Sequence, residues 1–379
     1  MNYTQFGGTK TEVSRLGFGC MRLPMKLTDG KPQFDEDASI EMLRKGIELG
    51  INYFDSGYIY CNGQSERILG LALAGRRDKV NVSTKCPGNL VHKQGDLRRV
   101  LEEQLTRLNT DHVDFYHFHG INYDGFMEID KNYGWYADAV KARDEGLIKH
   151  ISFSFHSKDF HSPAPDSMIK LIDTGYFESV LCQYNVLDQS NAKAMEYAKQ
   201  KGLGVVIMGP LGGGRVSGLP KSVSEQLGIG VAASAELGLR FVASNPNVDI
   251  ILSGMSSMEQ LLENCEYVSS IEPLSQNEID GILKMMEENK RLSELYCTGC
   301  NYCMPCPQDV NIPYIFQMMN YHKVYGIKEF AKNGYSSIGS GWIKGKNADA
   351  CTECGACEKK CPQGLKIREQ LKECASSLK

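Results

Sequence analysis

What this chain lacks narrows it first. No run of lysines and arginines occurs in its 379 residues, and the formal net charge is -4, so nothing offers the electrostatic footprint of a nucleic-acid binder. No stretch approaches the roughly 18 consecutive apolar residues that a membrane span requires. The opening MNYTQFGGTKTEVSRLGFGC has no apolar core of a signal peptide, which makes the cytoplasm the expected compartment. Neither nucleic acid nor membrane is an expected partner. No GxGxxG follows the first strand-like run, which counts against an open, doubly wound dinucleotide-binding sheet. A flavin fingerprint and low-complexity tracts are missing as well. What remains, with 42% hydrophobic and 23% charged residues, reads as a soluble globular chain long enough for one large domain and a small one.

From about Ser14 to Val268, short β-branched or aromatic runs alternate with segments of helical period. The expected strands are Arg15–Phe18, Asn52–Asp55, Val80–Thr84, Val113–His117, His150–Ser154, Ser179–Gln183, Gly204–Met208 and Asp249–Leu252. In FDEDASIEMLRKGIELG the residues Ile40, Leu43 and Ile47 fall on one helical face. Eight strand-then-helix units predict an α/β fold, a (β/α)8 TIM barrel, over residues 1–271, with Tyr3–Phe6 as a hairpin strand beneath it. A helical linker over 272–296 then leads into a small, mainly helical segment, 297–379, with an apolar helical pattern around Ile315–Met319 and a Gly/Ser-rich turn at Ser336–Gly341.

Eight of the 14 cysteines crowd into 297–306 and 351–361; Cys20, Cys61, Cys86, Cys182, Cys265 and Cys374 stand singly and read as small buried hydrophobes. CTECGACEKKCP places Cys351, Cys354, Cys357 and Cys361 as C-x2-C-x2-C-x3-C-P, the bacterial ferredoxin run whose fourth cysteine reaches the other of two 4Fe–4S clusters. CTGCNYCMPCP supplies Cys297, Cys300, Cys303 and Cys306, with the last spacing one residue shorter. If the swapped pattern holds, one cluster takes Cys297, Cys300, Cys303 and Cys361. The other takes Cys351, Cys354, Cys357 and Cys306. Zinc is the plain alternative, although zinc ribbons present cysteines in separated pairs rather than three in succession. The short spacing also leaves a single-cluster outcome open.

A barrel carries its chemistry at the C-terminal ends of its strands. Those ends supply Asp55 and Tyr60 from NYFDSGYIY, Lys85 from VNVSTKCP and His119 from VDFYHFHG. In this order and spacing the chain resembles the aldo/keto reductases over about residues 1–270, and both halves together resemble the ferredoxin-fused members. The resemblance implies a catalytic tetrad: Tyr60 as general acid, Lys85 as the ammonium that favours its phenolate, Asp55 holding Lys85, and His119 hydrogen-bonding the substrate carbonyl. Taken singly, Tyr60 would read as a loop aromatic, Asp55 and Lys85 as a structural pair, and His119 as a core histidine.

The same resemblance implies NAD(P)H as cofactor, and two 4Fe–4S clusters beside it. Its contacts would be Gly19, Cys20 and Met21 at the first strand, Asp55, Ser154 and Gln183 at the nicotinamide, and Met208 in place of a stacking aromatic. The loop Gly209, Pro210, Leu211, Gly212 and Gly214 would approach the pyrophosphate. Glu263 and Asn264 match an adenine-contacting pair, and Phe155 stands where an asparagine usually follows the serine. The usual basic positions for a 2′-phosphate fall on Gly254 and Gln260, and 253–266 contains neither Lys nor Arg. This predicts a preference for NADH or tolerance of both cofactors, with Arg215 or Lys221 as the nearest alternative cations.

The expected function is an NAD(P)-dependent oxidoreductase interconverting a small carbonyl compound and an alcohol, its clusters serving electron transfer or structure. A ferredoxin or flavoprotein would be the electron partner, since hydride chemistry moves two electrons and a cluster moves one. A reading of another class makes the chain a redox-responsive or electron-transfer module that retains a barrel; the four tetrad residues in order weigh against it. The segment after the fourth strand carries Tyr123, Phe126, Tyr133, Trp135 and Tyr136, which would wall a substrate site or pack beneath the loop.

Overall fold

A computed structural model of the chain describes residues 1–28, 31–156, 166–212, 216, 234–270, 272–294, 303–323, 326–340, 343–361 and 365–379. These group into two compact units, Met1–Gly212 with Gly238–Leu274, and Gly213–Leu237 with Ser275–Lys379. Arg215 and Lys221 lie outside the described residues, as do Gly214, Cys297 and Cys300.

The first unit begins with the antiparallel hairpin β1 (Tyr3–Gln5) and β2 (Glu12–Ser14). After β3 (Leu16–Gly19) comes a second hairpin, β4 (Met25–Thr28) and β5 (Lys31–Phe34). There follow β6 (Tyr53–Asp55), β7 (Asn81–Pro87), β8 (Val113–His119), β9 (Ile148–Phe155), β10 (Ser179–Gln183), β11 (Gly204–Met208) and β12 (Ile250–Gly254). Strands β3 and β6 to β12 pair in parallel and close on themselves, β12 against β3, as the expected eight-stranded barrel. Each expected strand overlaps an observed one. The β4–β5 hairpin was not anticipated, because Pro24, Asp29, Gly30 and Pro32 mask its alternation.

The helices outside the barrel include α1 (Glu36–Glu48), α2 (Ser65–Leu73), α3 (Asp96–Leu108), α4 (Tyr123–Tyr133), α5 (Trp135–Asp144), α6 (Ser167–Asp173), α7 (Ala192–Gln200), α8 (Ser234–Ala243) and α9 (Met258–Ser269). Asp35 caps α1 by accepting the Ala38 N–H at 3.3 Å. The face α1 buries is Ser39, Met42, Leu43 and Gly46, not the expected Ile40, Leu43 and Ile47. The small residues favour this: a Cβ on Gly46 would stand 3.3 Å from the Phe18 ring, a tight contact that glycine avoids where the helix approaches β3.

Phe6 plugs the N-terminal end of the barrel. Its ring is buried edge-on against Tyr53 and Phe115 at centroid distances of 5.9 and 5.0 Å. Val13, Leu181, Val206 and Ile250 complete this apolar layer. Side chains that pack the closed end stabilise the fold, and those at the opposite, C-terminal mouth are placed to meet a ligand.

The segment after β8 is two helices rather than an aromatic-walled loop. Asn122 caps α4 through Gly125 N–H at 2.8 Å, and Gly134, at φ 65, separates α4 from α5. Phe126 and Trp135 turn inward against Phe118, with centroid distances of 5.2 and 4.6 Å, and Tyr136 stacks on Tyr176 at 3.9 Å. For Phe126 and Trp135 the core reading is therefore the correct one.

In the second unit, α10 (Gln276–Glu294) precedes α11 (Ile312–Lys323), α12 (Lys328–Ser336) and α13 (Ile367–Leu378). Helix α11 buries Ile315, Phe316, Met318 and Met319, as the sequence pattern requires. Helix α13 buries Ile367, Leu371, Cys374 and Leu378, a spacing of one helical face. No helix among the described residues is long and apolar enough to cross a membrane.

Candidate active site and cluster cavity

Parallel pairing of β6, β7 and β8 brings the ends of three strands side by side. Asp55 is the last residue of β6 and His119 the last of β8, while Lys85 stands in β7 beside His117. Tyr60 opens the short 3-10 turn Tyr60–Gly63 that follows β6. Lys85 and Asp55 form a buried ion pair, 1% and 2% exposed, and Ser83 Oγ donates to the other Asp55 oxygen at 2.6 Å. Lys85 Nζ also donates to the Ser56 carbonyl and lies 4.6 Å from the centre of the Tyr60 ring. Tyr60 and His119 meet edge to face at 5.9 Å. All four sequence-selected side chains thus converge.

Burial sets the electrostatics of this group. It raises the Tyr60 phenol above its ordinary value, and the Lys85 charge offsets this only in part. The expectation that Lys85 favours the phenolate is met in sign but loses to desolvation. Burial works against the Lys85 ammonium too, yet Asp55 and Tyr60 outweigh it and raise its pKa. Burial, Lys85 and His156 together push His119 from 6.5 down to about 3. At neutral pH the site therefore holds a protonated phenol, an ammonium and a neutral imidazole.

A pH dependence follows from these directions. Tyr60 keeps its proton until above pH 10 and His119 stays neutral down to about 3, so kcat/KM for a reduction should be flat between about pH 5 and 9. A break near 6.5 in that profile would contradict the assigned state of His119. Stability carries the opposite limb. Because the folded pKa of His119 is depressed, the unfolded chain takes up the proton first, and stability is lost as pH falls from about 6.5 toward 3.

Several supporting residues escaped sequence reading. His117 is fully buried, with Nε2 3.9 Å from Asp55 Oδ2 and 3.5 Å from the Tyr53 hydroxyl. Its position two residues before His119 places both on the inner face of β8, a signal that period-two counting would have found. Behind Lys85, the buried Glu66 carboxylate accepts from Gln104 Nε2 at 2.6 Å and from Arg107 at 3.1 Å. Gln104 donates as well to the Lys85 carbonyl at 3.0 Å and accepts from Tyr116 at 2.7 Å. This satisfied network fixes the strand from which Lys85 projects.

The residues selected for the cofactor are placed less uniformly. Gly19 and Gly254 are register partners at the barrel mouth, and Met21 is exposed while the Cys20 thiol is enclosed. Ser154 Oγ accepts the Gly120 N–H at 2.7 Å, which leaves its own hydrogen to donate. Gln183 and Met208 are half-buried at the ends of β10 and β11. Gly209 and Gly212 have φ of 61 and 56, a left-handed turn that glycine adopts without strain, and Pro210 and Leu211 lie between them. Gln260 Oε1 accepts from Ser256 N–H at 2.8 Å. Of the expected adenine pair, Glu263 is exposed but Asn264 is not: its amide donates to Ser253 Oγ at 3.1 Å, on the buried face of α9 formed with Leu261, Cys265 and Val268. A cation that the sequence did not suggest also lies near these positions. Arg22, from the turn after β3, lies against Gly254, its Cδ 3.8 Å from where a Cβ there would stand.

In the second unit, Cys306 joins Cys351, Cys354 and Cys357 around one cavity. Cys303 is buried and Cys361 half-buried. Among the described residues no three His, Cys, Asp or Glu side chains converge as the ligands of a single ion do. Thiols spread around a cavity suit a four-iron cube, which takes one thiolate per corner, better than one zinc ion, which draws four sulfurs to about 2.3 Å. The Glu353 N–H points at Cys351 Sγ at 3.4 Å, a contact that would stabilise a thiolate. The six scattered cysteines are all buried, as expected.

Comparison with known proteins adds two matches along the chain. The aldo/keto reductase family model matches residues 15–287, and a 4Fe–4S dicluster domain model matches residues 296–365. An L-galactose dehydrogenase of Arabidopsis thaliana is 29% identical over 310 residues, covering 73% of this chain and 93% of that protein. The solved holo structure of aldo-keto reductase AKR11C1 from Bacillus halodurans, 25% identical, covers 75% of this chain and 96% of its own at a TM-score of 0.63. An aldo/keto reductase of Klebsiella pneumoniae solved with NADP and acetate shares the fold at 21% identity and a TM-score of 0.58, covering 75% of this chain and 95% of its own.

Proposed function

Because the chain belongs to the aldo/keto reductase family and carries a C-terminal 4Fe–4S dicluster domain, we propose that this nicotinamide-dependent oxidoreductase interconverts a small aldehyde, ketone or sugar and its alcohol, with Tyr60 as the general acid and base. The observation that carries the reading is the convergence of Asp55, Lys85, Tyr60 and His119 at the C-terminal mouth of the barrel. A bound nicotinamide supplies the hydride. Tyr60 gives its phenolic proton to the carbonyl oxygen, so that hydride and proton together make the alcohol. Lys85 stabilises the phenolate left behind, and Asp55 keeps Lys85 in place and charged. The neutral His119 ring donates a hydrogen bond that orients the carbonyl and meets the charge growing on its oxygen.

The groove for the cofactor would run from Ser154 and Gln183 past Met208 and the Gly209–Gly212 turn to Gly254, Gln260 and Glu263. Arg22 supports binding of the 2′-phosphorylated cofactor, which revises the preference for NADH read from residues 253–266 alone. The barrel would comprise residues 1–271 and the cluster domain 297–379, joined by a helical linker. In the cluster domain, Cys351, Cys354, Cys357 and Cys306 would hold one 4Fe–4S cluster, and Cys297, Cys300, Cys303 and Cys361 a second. Bound clusters supply one-electron storage for a ferredoxin or flavoprotein partner in the cytoplasm.

Two assays on anaerobically purified protein test this together. With NADPH or NADH deuterated at C4 and a panel of aldehydes, ketones and sugars, deuterium should appear in the alcohol. Iron and sulfide should each approach about eight per chain. Nicotinamide that binds without oxidation against every carbonyl in the panel would remove the enzymatic reading, and about four irons would leave a single cluster.

A further inference from the structure

Among the described residues, the wall of the cavity formed by Cys306, Cys351, Cys354 and Cys357 contains one cation, Arg368, at the start of α13. Its placement is specific. The Nε and Nη2 of Arg368 lie 2.9 and 2.8 Å from Glu358 Oε2, and the Arg368 main-chain N–H donates to Glu358 Oε1 at 2.9 Å. One carboxylate therefore clamps both the guanidinium and the backbone of the same residue. The remaining nitrogen, Nη1, has no hydrogen-bond partner among the described residues, and lies 4.0 Å from the point where a Cβ on Gly355 would stand. Gly355 is itself part of the cavity wall and has φ 71, so the absence of a side chain there leaves the space between guanidinium and cavity open. Glu358 is not in that wall. Of the pair, Arg368 is the member that lines the cavity.

We propose that Arg368 sets the reduction potential of the cluster held by Cys306, Cys351, Cys354 and Cys357. The inference rests on the reading that a 4Fe–4S cluster occupies this cavity. One-electron reduction adds one negative charge to a cluster whose four thiolates already make it anionic. A guanidinium at the wall stabilises the reduced form more than the oxidised one, and so raises the potential. Glu358 moderates that effect and fixes its geometry, since its carboxylate holds both the guanidinium and the main-chain N–H of Arg368. The other nearby acid, Glu353, is engaged by Lys372 at 2.8 Å.

The test is a dye-mediated redox titration of the full-length protein followed by electron paramagnetic resonance, after iron and sulfide assay. Arg368→Gln should make reduction of one cluster about tenfold less favourable, about 59 mV for a one-electron couple. Arg368→Lys should recover most of the loss, and Glu358→Gln should shift the same cluster the opposite way. The second cluster serves as internal reference and should not move. A potential within twofold of the unmodified protein in Arg368→Gln, at full iron content, would overturn the assignment. So would loss of iron from Arg368→Gln and Glu358→Gln alike, which would make the pair structural. Unmodified protein that holds no cluster would instead defeat the cluster reading itself, a separate result visible in the first assay.

Discussion

Replacement of Tyr60 by Phe is expected to lower kcat for carbonyl reduction by about 10²–10⁴-fold, the span of a lost general acid, while the dissociation constant for the nicotinamide stays within about twofold. The change removes one oxygen and keeps the ring that meets Lys85 and His119. Its effect therefore falls on proton delivery and not on the shape of the site. His119 cannot take over, because burial holds it neutral until about pH 3 and an imidazole is a far weaker acid than the imidazolium. Stopped-flow turnover beside a fluorescence titration of cofactor binding measures both quantities. Unchanged turnover on every active carbonyl would remove Tyr60 from the mechanism and return the site to the redox-module reading.

The second large effect is on stability. Asp55→Ala leaves the Lys85 ammonium buried with only the Ser56 carbonyl and the Tyr60 ring for company, and should cost about 3–5 kcal/mol. Lys85→Met leaves the Asp55 carboxyl buried with the Ser83 hydroxyl as its donor and should cost a similar amount, about 3–5 kcal/mol, because near neutral pH it must either keep an unpaired charge or take up a proton well above its ordinary pKa. Denaturant unfolding followed by the fluorescence of Trp135, in a Trp342→Phe background, reads the barrel alone. Trp135 is fully buried in that unit, and the chain has two tryptophans in all. A cost below about 1 kcal/mol for either variant would show that the partner left behind is not held buried and charged. Both variants should also lose turnover, which separates this pair from a merely structural salt bridge.

The parts legible in the sequence were those written in local pattern. The runs around Val82, Phe115, Val180 and Ile207 are β-branched or aromatic between turn signals, so all eight barrel strands could be placed. The tetrad was found because strand ends in a barrel are positions a topology dictates, and the cysteine runs because ligand spacing is itself a local constraint. Legibility failed where one local pattern serves two environments. Phe126 and Trp135 look alike whether they wall a pocket or pack on Phe118, and capping by Asn122 with a left-handed Gly134 settles that they lie on helices. Asn264 was matched to an adenine contact, and only the packing of α9 shows its amide donating to Ser253 instead.

By itself, then, the sequence determined the order and kind of elements, the four side chains offered at the barrel mouth and the chemistry of the thiols. Only the tertiary structure decided which of them feel one another, and with what sign. Lys85 was expected to favour the Tyr60 phenolate, and its charge acts in that sense, but the completed barrel excludes enough water that burial prevails and the phenol's pKa is raised. Arg22 reaches Gly254 across more than 200 residues of chain, and Cys306 reaches Cys351 across more than 40. The physical reason is common to these cases. Desolvation and Coulomb terms depend on distance and dielectric in three dimensions, whereas periodicity and spacing report only on neighbours along the chain.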